Sequence, residues 1–163
     1  MDLLLPPEVA SSLVKALIEA GSTETGGILM GEHVGPDIFR VKEITAQKKG
    51  GAFAAFVRFV EEITGPLMAF FQRTNCNYTR YNYLGEWHSH HSFVLVPSSC
   101  DHTTMLEMLA DSQMGARFIV LMLVRLDGNN RLEHASFVYR RGVPPFVGRV
   151  VIERVHHGKS EMA

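Results

Sequence analysis

The chain has 163 residues, 46% of them hydrophobic and 20% charged, a composition typical of a globular protein with one domain and a buried core. A formal net charge of −1 gives no electrostatic sign of a nucleic-acid or anionic membrane partner, so we expect neither. Two cysteines are too few for a disulfide framework, and neither a signal peptide nor a membrane span is recognisable, which predicts a cytoplasmic protein.

Hydrophobic periodicity and turn residues predict alternating strands and helices in the first half of the chain. The first helix is expected to be amphipathic, because two prolines open it, apolar residues recur at intervals of three and four, and Gly21 ends it. The predicted elements are a strand at 3–5, a helix at 7–20, strands at 24–33 and Ile38–Ile44, a loop at 46–55, a helix at 61–75 interrupted at Gly65-Pro66, and a strand at 82–90.

The second half begins with a methionine-rich helix, whose methionines are expected to fill the core. The next segment is almost continuously apolar, which favours a strand buried on both faces. The predicted elements are a helix at 100–114, a strand at 117–125, a hairpin turn at 127–130, a strand at 132–140, and a last strand or short helix at 150–155. Together they predict an α+β fold with a mixed, largely antiparallel sheet flanked by helices. Residues 1–155 form the single domain, and residues 156–163 are expected to be a frayed tail.

Two histidines and an aspartate form a candidate metal site in the middle of the chain. His88 and His90 are two residues apart, so on a strand both side chains point to the same face. Ten residues separate His90 from Asp101, which lies after a predicted loop, at the start of the next predicted helix. Two imidazoles and one carboxylate match the three protein ligands of a catalytic zinc, with the fourth position open.

A purely structural interpretation of the same residues is also open. Ser98-x-x-Asp101 has the form of a helix capping box, with aspartate in place of the usual glutamate. The two interpretations are compatible, because a residue at a helix start can also bind a metal. His91 falls on the opposite strand face from the two candidate ligands, and His102 is expected to be a solvated helix residue.

The pattern H-S-H, seven residues, S-x-x-D resembles the JAMM motif of the MPN-plus metalloproteases, and especially its compact prokaryotic members. The upstream segment Glu24-Thr-Gly-Gly-Ile-Leu-Met-Gly31 is similar to the strand that carries the catalytic glutamate in that family. One departure is visible, since His91 stands where most members have proline after the second histidine. The resemblance implies the MPN fold, which is related to that of cytidine deaminases, over most of the chain.

The resemblance also implies a role for each motif residue. One Zn²⁺ per chain would be bound by His88, His90 and Asp101, Glu24 would be the general base, and Ser98 would stabilise the oxyanion. By sequence alone Glu86 competes with Glu24, because a strand would place it on the face of the histidines, where it can support a histidine N–H. The Glu-Thr-Gly-Gly context favours Glu24.

The implied activity is hydrolysis after the C-terminal glycine of a ubiquitin-like protein, by a zinc isopeptidase or peptidase. Partners would be the ubiquitin-like protein or its conjugate, and E1-like or E2-like proteins of the same pathway. Compact prokaryotic members are associated with ubiquitin-like conjugation systems, including antiphage ones, or with sulfur-carrier protein processing. The alternatives are such a sulfur-carrier peptidase and a non-catalytic MPN-type scaffold.

A thin, extended substrate tail would bind most simply by adding a strand to a sheet edge. The loop at 47–55 and the segment at 92–97 are placed to border such a groove. An apolar run in a predicted loop is formed by Phe93, Val94, Leu95 and Val96, and its first three residues are the candidates for lining the groove. The alternative is that they pack beneath the loop as a small apolar cluster.

Overall fold

The computed structural model describes residues 1–46, 56–90, 94–112 and 114–154, and within residues 56–63 it describes the backbone alone. None of the helices in these ranges is long and apolar enough to cross a membrane. The predicted tail at 156–163 and most of the predicted loop at 46–55 lie outside the described residues. The elements are β1 (Asp2–Leu5), α1 (Pro7–Ala20), β2 (Gly26–Gly35), β3 (Ile38–Ile44), α2 (Phe56–Arg73), β4 (Tyr81–Ser89), α3 (Ser99–Ala110), β5 (Phe118–Leu126), β6 (Leu132–Arg140) and β7 (Val143–Ile152).

The seven described strands form one closed barrel in the order β1-β3-β2-β4-β5-β6-β7. Strand β1 is parallel to β3 on one side and to β7 on the other, and β4 is parallel to β5. The remaining pairs are antiparallel. The predicted α+β fold, a mixed, largely antiparallel sheet flanked by helices, is therefore wrong. It fails because Leu5 pairs with Ile152, a contact between the two ends of the chain that no local pattern reveals.

Most predicted elements are present, and two differ in an instructive way. Helix α2 does not restart at Pro66 but runs through it from Phe56. Strand β7 begins at Val143, well before the predicted start at Val150. Pro144 and Pro145 hide its first half from a pattern search, because proline cannot donate to a strand ladder and reads as a strand breaker.

The core lies on both faces of the barrel sheet. On one face the buried stripe of α1, formed by Val9, Leu13 and Leu17, packs against strand residues that include Trp87 and Met122. On the other face α3 packs through its buried residues Met105, Met108 and Leu109 against side chains of β5 and β6, which are Ile119, Leu121, Leu123 and Tyr139. Helix α2 packs through Phe70 against Ile28 and Met30 of β2. Strand β5 is thus buried on both faces, as predicted. Fully burying one such side chain stabilises the fold by about 1.5–3 kcal/mol.

A β-bulge in β4 shifts the alternation of that strand. Leu29 pairs with Gly85, but the next residue, Met30, pairs with Tyr83, so Leu84 is the extra residue. Gly85 has φ 148°, and a Cβ there would lie 1.9 Å from the carbonyl oxygen of Val120, so the bulge requires glycine. As a consequence Tyr83 points to the same side as Glu86, three residues later.

Candidate metal centre

The three predicted ligands come together where β4 leads into α3. One ligand atom each from His88, His90 and Asp101 lies within 4.8 Å of the others. The Nε2 atoms of the two histidines are 3.5 and 3.9 Å from the two carboxylate oxygens of Asp101. All three side chains are at most 13% exposed. This is a compact nitrogen and oxygen donor set that can surround a single cation.

The strand and its ladder orient the two histidine rings. The backbone N–H of His90 donates to the carbonyl of Val124 at 2.9 Å, so pairing with β5 continues one residue past the end of β4. Nδ1 of His90 lies 3.5 Å from the carbonyl oxygen of Val94, which leaves Nε2 facing Asp101. Burial lowers the pKa of His88 to about 4, although the Asp101 charge opposes the shift, so this imidazole is neutral at neutral pH. A neutral imidazole is the form that binds metal.

Asp101 is held by a capping box at the start of α3. The Ser98 backbone N–H donates to Oδ2 of Asp101 at 2.6 Å, and the Asp101 N–H donates to Oγ of Ser98 at 3.2 Å. Oδ1 of the same carboxylate faces His88. The capping interpretation is confirmed, and it leaves Oδ1, the oxygen outside the box, directed at His88. The Ser98 hydroxyl acts as an acceptor in the box, so its proton is available for another partner.

Glu24 lies just outside β2, on the side of the site. The Ser89 N–H donates to the carbonyl of Thr25 at 2.8 Å, and the Thr25 N–H donates to Oγ of Ser89 at 2.9 Å. Because Gly26 pairs with His88, continuing this antiparallel register places Glu24 opposite His90. Directly opposite residues of an antiparallel pair point to the same face. Glu24 is exposed and is not among the three grouped donors, so it borders the site without completing it.

Two residues of this region carry roles that the sequence patterns did not assign to them. Ser89, the middle residue of H-S-H, is fully buried and connects the β4 end to the segment that carries Glu24. A Cβ at Gly27 would lie 2.0 Å from the carbonyl oxygen of Thr45, so the second glycine of the Glu-Thr-Gly-Gly segment is required by a close backbone approach. Both residues lie inside the motif segments, which is the only sequence signal that marks them. The spacing of the motif does not reveal which residues they contact.

Glu86 is fully buried beside the site, on the same face of β4 as His88. Burial raises its pKa to about 8, although a hydrogen bond from Tyr83 opposes the shift. The Tyr83 hydroxyl donates to Oε1 at 3.4 Å, and Oε2 has no hydrogen-bond partner in the described part of the chain. The described partner of Glu86 is thus a tyrosine, and the predicted support of a histidine N–H stays a prediction.

The expectation that His102 is a solvated helix residue is wrong. His102 is half-buried, and its Nδ1 lies 2.8 Å from the hydroxyl oxygen of Tyr139 in β6. Tyr139 is fully buried, and burial together with the nearby Asp101 charge raises its pKa to about 12. The helix periodicity of 100–114 did not show this contact, because Tyr139 belongs to a strand far along the chain.

The three candidate groove residues have different environments. Val94 is 73% exposed, whereas Leu95 is half-buried and packs against the α3 core. Phe93 lies outside the described residues. Val96, the last residue of the same apolar run, is 54% exposed. The apolar run therefore divides into a buried anchor and an exposed pair.

A family model described as prokaryotic homologs of the JAB domain matches residues 6–139, which is well over half of the chain. The chain belongs to this family. The match confirms the JAMM/MPN resemblance drawn from H-S-H and S-x-x-D. It covers the segments that carry all five motif positions.

A solved structure shows the same fold as this JAB-domain chain. Protein DSY2949 from Desulfitobacterium hafniense superposes with a TM-score of 0.63 at 16% identity, over 95% of this chain and 97% of that one. At this identity the likeness concerns the fold alone. No curated protein matches the chain.

Proposed function

We propose that the chain is a zinc-dependent peptidase or isopeptidase that hydrolyses the bond after the C-terminal glycine of a ubiquitin-like protein. One observation carries the proposal: in a JAB-family chain, one ligand atom each of His88, His90 and Asp101 lies within 4.8 Å of the others. The antiparallel register, continued two residues beyond the Gly26–His88 pair, supports a position of Glu24 opposite His90. JAB domains include metalloproteases and non-catalytic members. Retention of every ligand supports the first group.

The donor set fits zinc better than a harder cation. Two imidazole nitrogens and one carboxylate oxygen are the ligand types of catalytic zinc sites, whereas magnesium and calcium prefer oxygen ligands alone. Zinc bound there would supply an acidified water and an electrophile that polarises the scissile carbonyl. The described contacts that hold these donors in place are the capping box of Asp101 and the approach of His90 to the Val94 carbonyl.

Glu24 is proposed to move the proton. From its position opposite His90, its carboxylate accepts a proton from the attacking water and passes it to the leaving amine. The bonds between Thr25 and Ser89 hold the backbone next to it. Glu86 is a poor candidate for this step because it is fully buried and its described partner is Tyr83, whereas Glu24 is exposed where a substrate can arrive.

Ser98 is proposed to donate its hydroxyl proton to the developing oxyanion. Its oxygen accepts from the Asp101 N–H, which fixes the side chain, and its proton is not used by that bond. An oxyanion donor of this kind contributes roughly 2.7–4 kcal/mol to the stability of the transition state. Helix capping and catalysis would thus share one hydroxyl group.

The substrate tail is proposed to bind against Val94 and Val96. Each of the seven described strands pairs with a neighbour on both sides. The described barrel therefore offers no open edge to which the substrate tail could add as a strand. The exposed valines lie four and six residues after His90 in the chain and offer apolar contacts to an extended tail. Leu95 is assigned to the core.

The proposed function is tested by metal content and turnover together. Purified protein should contain one zinc per chain, and replacing His88, His90 or Asp101 by alanine should remove most of it. Glu24→Gln should keep the zinc and the fold but abolish cleavage of a ubiquitin-like protein fused to a reporter, since glutamine cannot accept the proton. Glu86→Gln should have a milder effect on turnover.

Glu19→Gln is the matched control, because Glu19 is an exposed carboxylate on α1 that forms an ion pair with Lys15. It should leave both zinc content and turnover unchanged. Wild-type protein that holds zinc but cleaves neither fusions nor isopeptide conjugates would support the non-catalytic scaffold instead. Zinc retained in all three alanine variants would contradict the assigned metal site.

A further inference from the structure

Tyr139 and His102 form a buried polar pair between the barrel and α3. Tyr139 is fully buried in β6, and its hydroxyl oxygen lies 2.8 Å from Nδ1 of His102. The two rings meet at 62° with centroids 5.7 Å apart. A buried phenol nearly always has a hydrogen-bond partner, because leaving it unpaired costs about 1–3 kcal/mol. The pair therefore constrains where α3 can lie on the sheet.

The pair lies next to Asp101, one of the three candidate metal ligands. His102 follows Asp101 directly in the first turn of α3, and the Asp101 charge is close enough to act on the Tyr139 phenol. Deeper in the helix, α3 rests on the barrel through Met105, Met108 and Leu109. Methionine side chains are unbranched and adaptable, so this packing tolerates small shifts of the helix. The directional bond to Tyr139 opposes such shifts at the end of the helix where Asp101 is located.

We propose that Tyr139 is a positioning residue for the metal centre, acting through His102 to set the distance between the Asp101 carboxylate and the two histidines. The proposal rests on the metal site of the proposed function and adds a residue that lies outside its motif. The capping box orients the Asp101 carboxylate relative to its own helix. The Tyr139 bond orients that helix relative to the barrel strand that carries His88.

The test uses cobalt(II) in place of zinc, because its visible absorption reports the geometry of the bound ion. Tyr139→Phe and His102→Leu should each shift or weaken the cobalt spectrum and lower cobalt affinity roughly three- to tenfold, the effect expected from losing one supporting hydrogen bond. His102→Asn should restore most of the affinity, because the asparagine amide can take the place of Nδ1. The double variant Tyr139→Phe with His102→Leu should be no worse than either single variant, as expected when both act through one contact.

Two controls separate positioning from a general loss of stability. Tyr81→Phe removes a tyrosine hydroxyl from β4 at the end opposite the metal site, and Val41→Ala opens a cavity in the core on the α1 face. Both should leave the cobalt spectrum unchanged, even where the melting temperature falls. Wild-type protein that binds no cobalt or zinc would overturn the metal site itself. Wild-type binding with an identical spectrum and affinity in Tyr139→Phe would overturn the positioning role alone.

Discussion

At the scale of single residues, the site is notable for side chains that serve structure and chemistry together. Asp101 closes the capping box through Oδ2 and faces His88 through Oδ1. Ser98 accepts a hydrogen bond through its oxygen and keeps its proton for another partner. A variant that removes such a side chain changes stability and turnover at once, so a useful test must separate the two.

Ser98→Gly and Ser98→Ala make this separation. Both remove the hydroxyl, but glycine is tolerated at a helix N-cap with a loss of only a few tenths of a kcal/mol, whereas alanine costs about 1 kcal/mol. We expect kcat to fall by about 10²–10³-fold in both variants, with a lower melting temperature in Ser98→Ala alone. The measurements are steady-state kinetics and thermal unfolding at matched zinc content. If Ser98→Gly turns over at the wild-type rate, Ser98 acts as a cap and not as an oxyanion donor.

At the scale of elements, the connection from β4 to α3 decides how the ligands meet. Its described part contains a buried anchor, Leu95, next to two exposed valines. The anchor holds the connection against the α3 core, while Val94 also places its carbonyl near the ring of His90. One short segment therefore offers a structural contact and a surface for the substrate.

Val94→Asp should change the KM for substrate, whereas Leu95→Asp should change the melting temperature. Val94→Asp should leave the melting temperature and the zinc content unchanged and raise KM for a ubiquitin-like substrate far more than for a short peptide. Leu95→Asp should lower the melting temperature strongly, because it places an unpaired carboxylate against the apolar side chains of α3. A drop in melting temperature with Val94→Asp, or equal losses on both substrates, would remove Val94 from the substrate surface.

At the scale of the whole molecule, the short strand β1 closes the barrel by joining β3 to β7. Ion pairs also connect the neighbouring elements, since Asp2 of β1 pairs with Arg149 of β7, and Arg40 of β3 pairs with Glu153 just after β7. The Asp2–Arg149 pair is exposed, and exposed pairs contribute little individually. The buried side chains of β1 carry more of the stability of the closure.

Leu5→Ala should destabilise the protein by about 2–5 kcal/mol, because Leu5 is fully buried in the α1-face core and the substitution leaves a cavity. Leu4→Ala on the other face of the same strand, where the side chain is half-buried, is the matched control and should cost clearly less. Urea denaturation measures both. Equal losses would mean that β1 contributes through its backbone pairing and not through its buried side chains.

Local patterns in the chain were enough to predict the residues of the candidate site and most of the elements that carry them. His88, His90, Ser98 and Asp101 lie within a short stretch, where strand alternation and helix capping are local rules that spacing reveals. The bounds of α1, β3 and β6 follow from periodicity in the same way. The family match over residues 6–139 includes those same segments.

Three features could not be predicted from local patterns: the closed barrel, the environment of Glu86 and the partner of His102. The barrel depends on Leu5 meeting Ile152, and the His102 bond depends on a tyrosine in β6, so both join segments far apart in the chain. Glu86 meets Tyr83 because a bulge at Leu84 changes which side chains share a face. Periodicity describes one segment at a time. It cannot report which segments pair, or where an extra residue shifts the register between them.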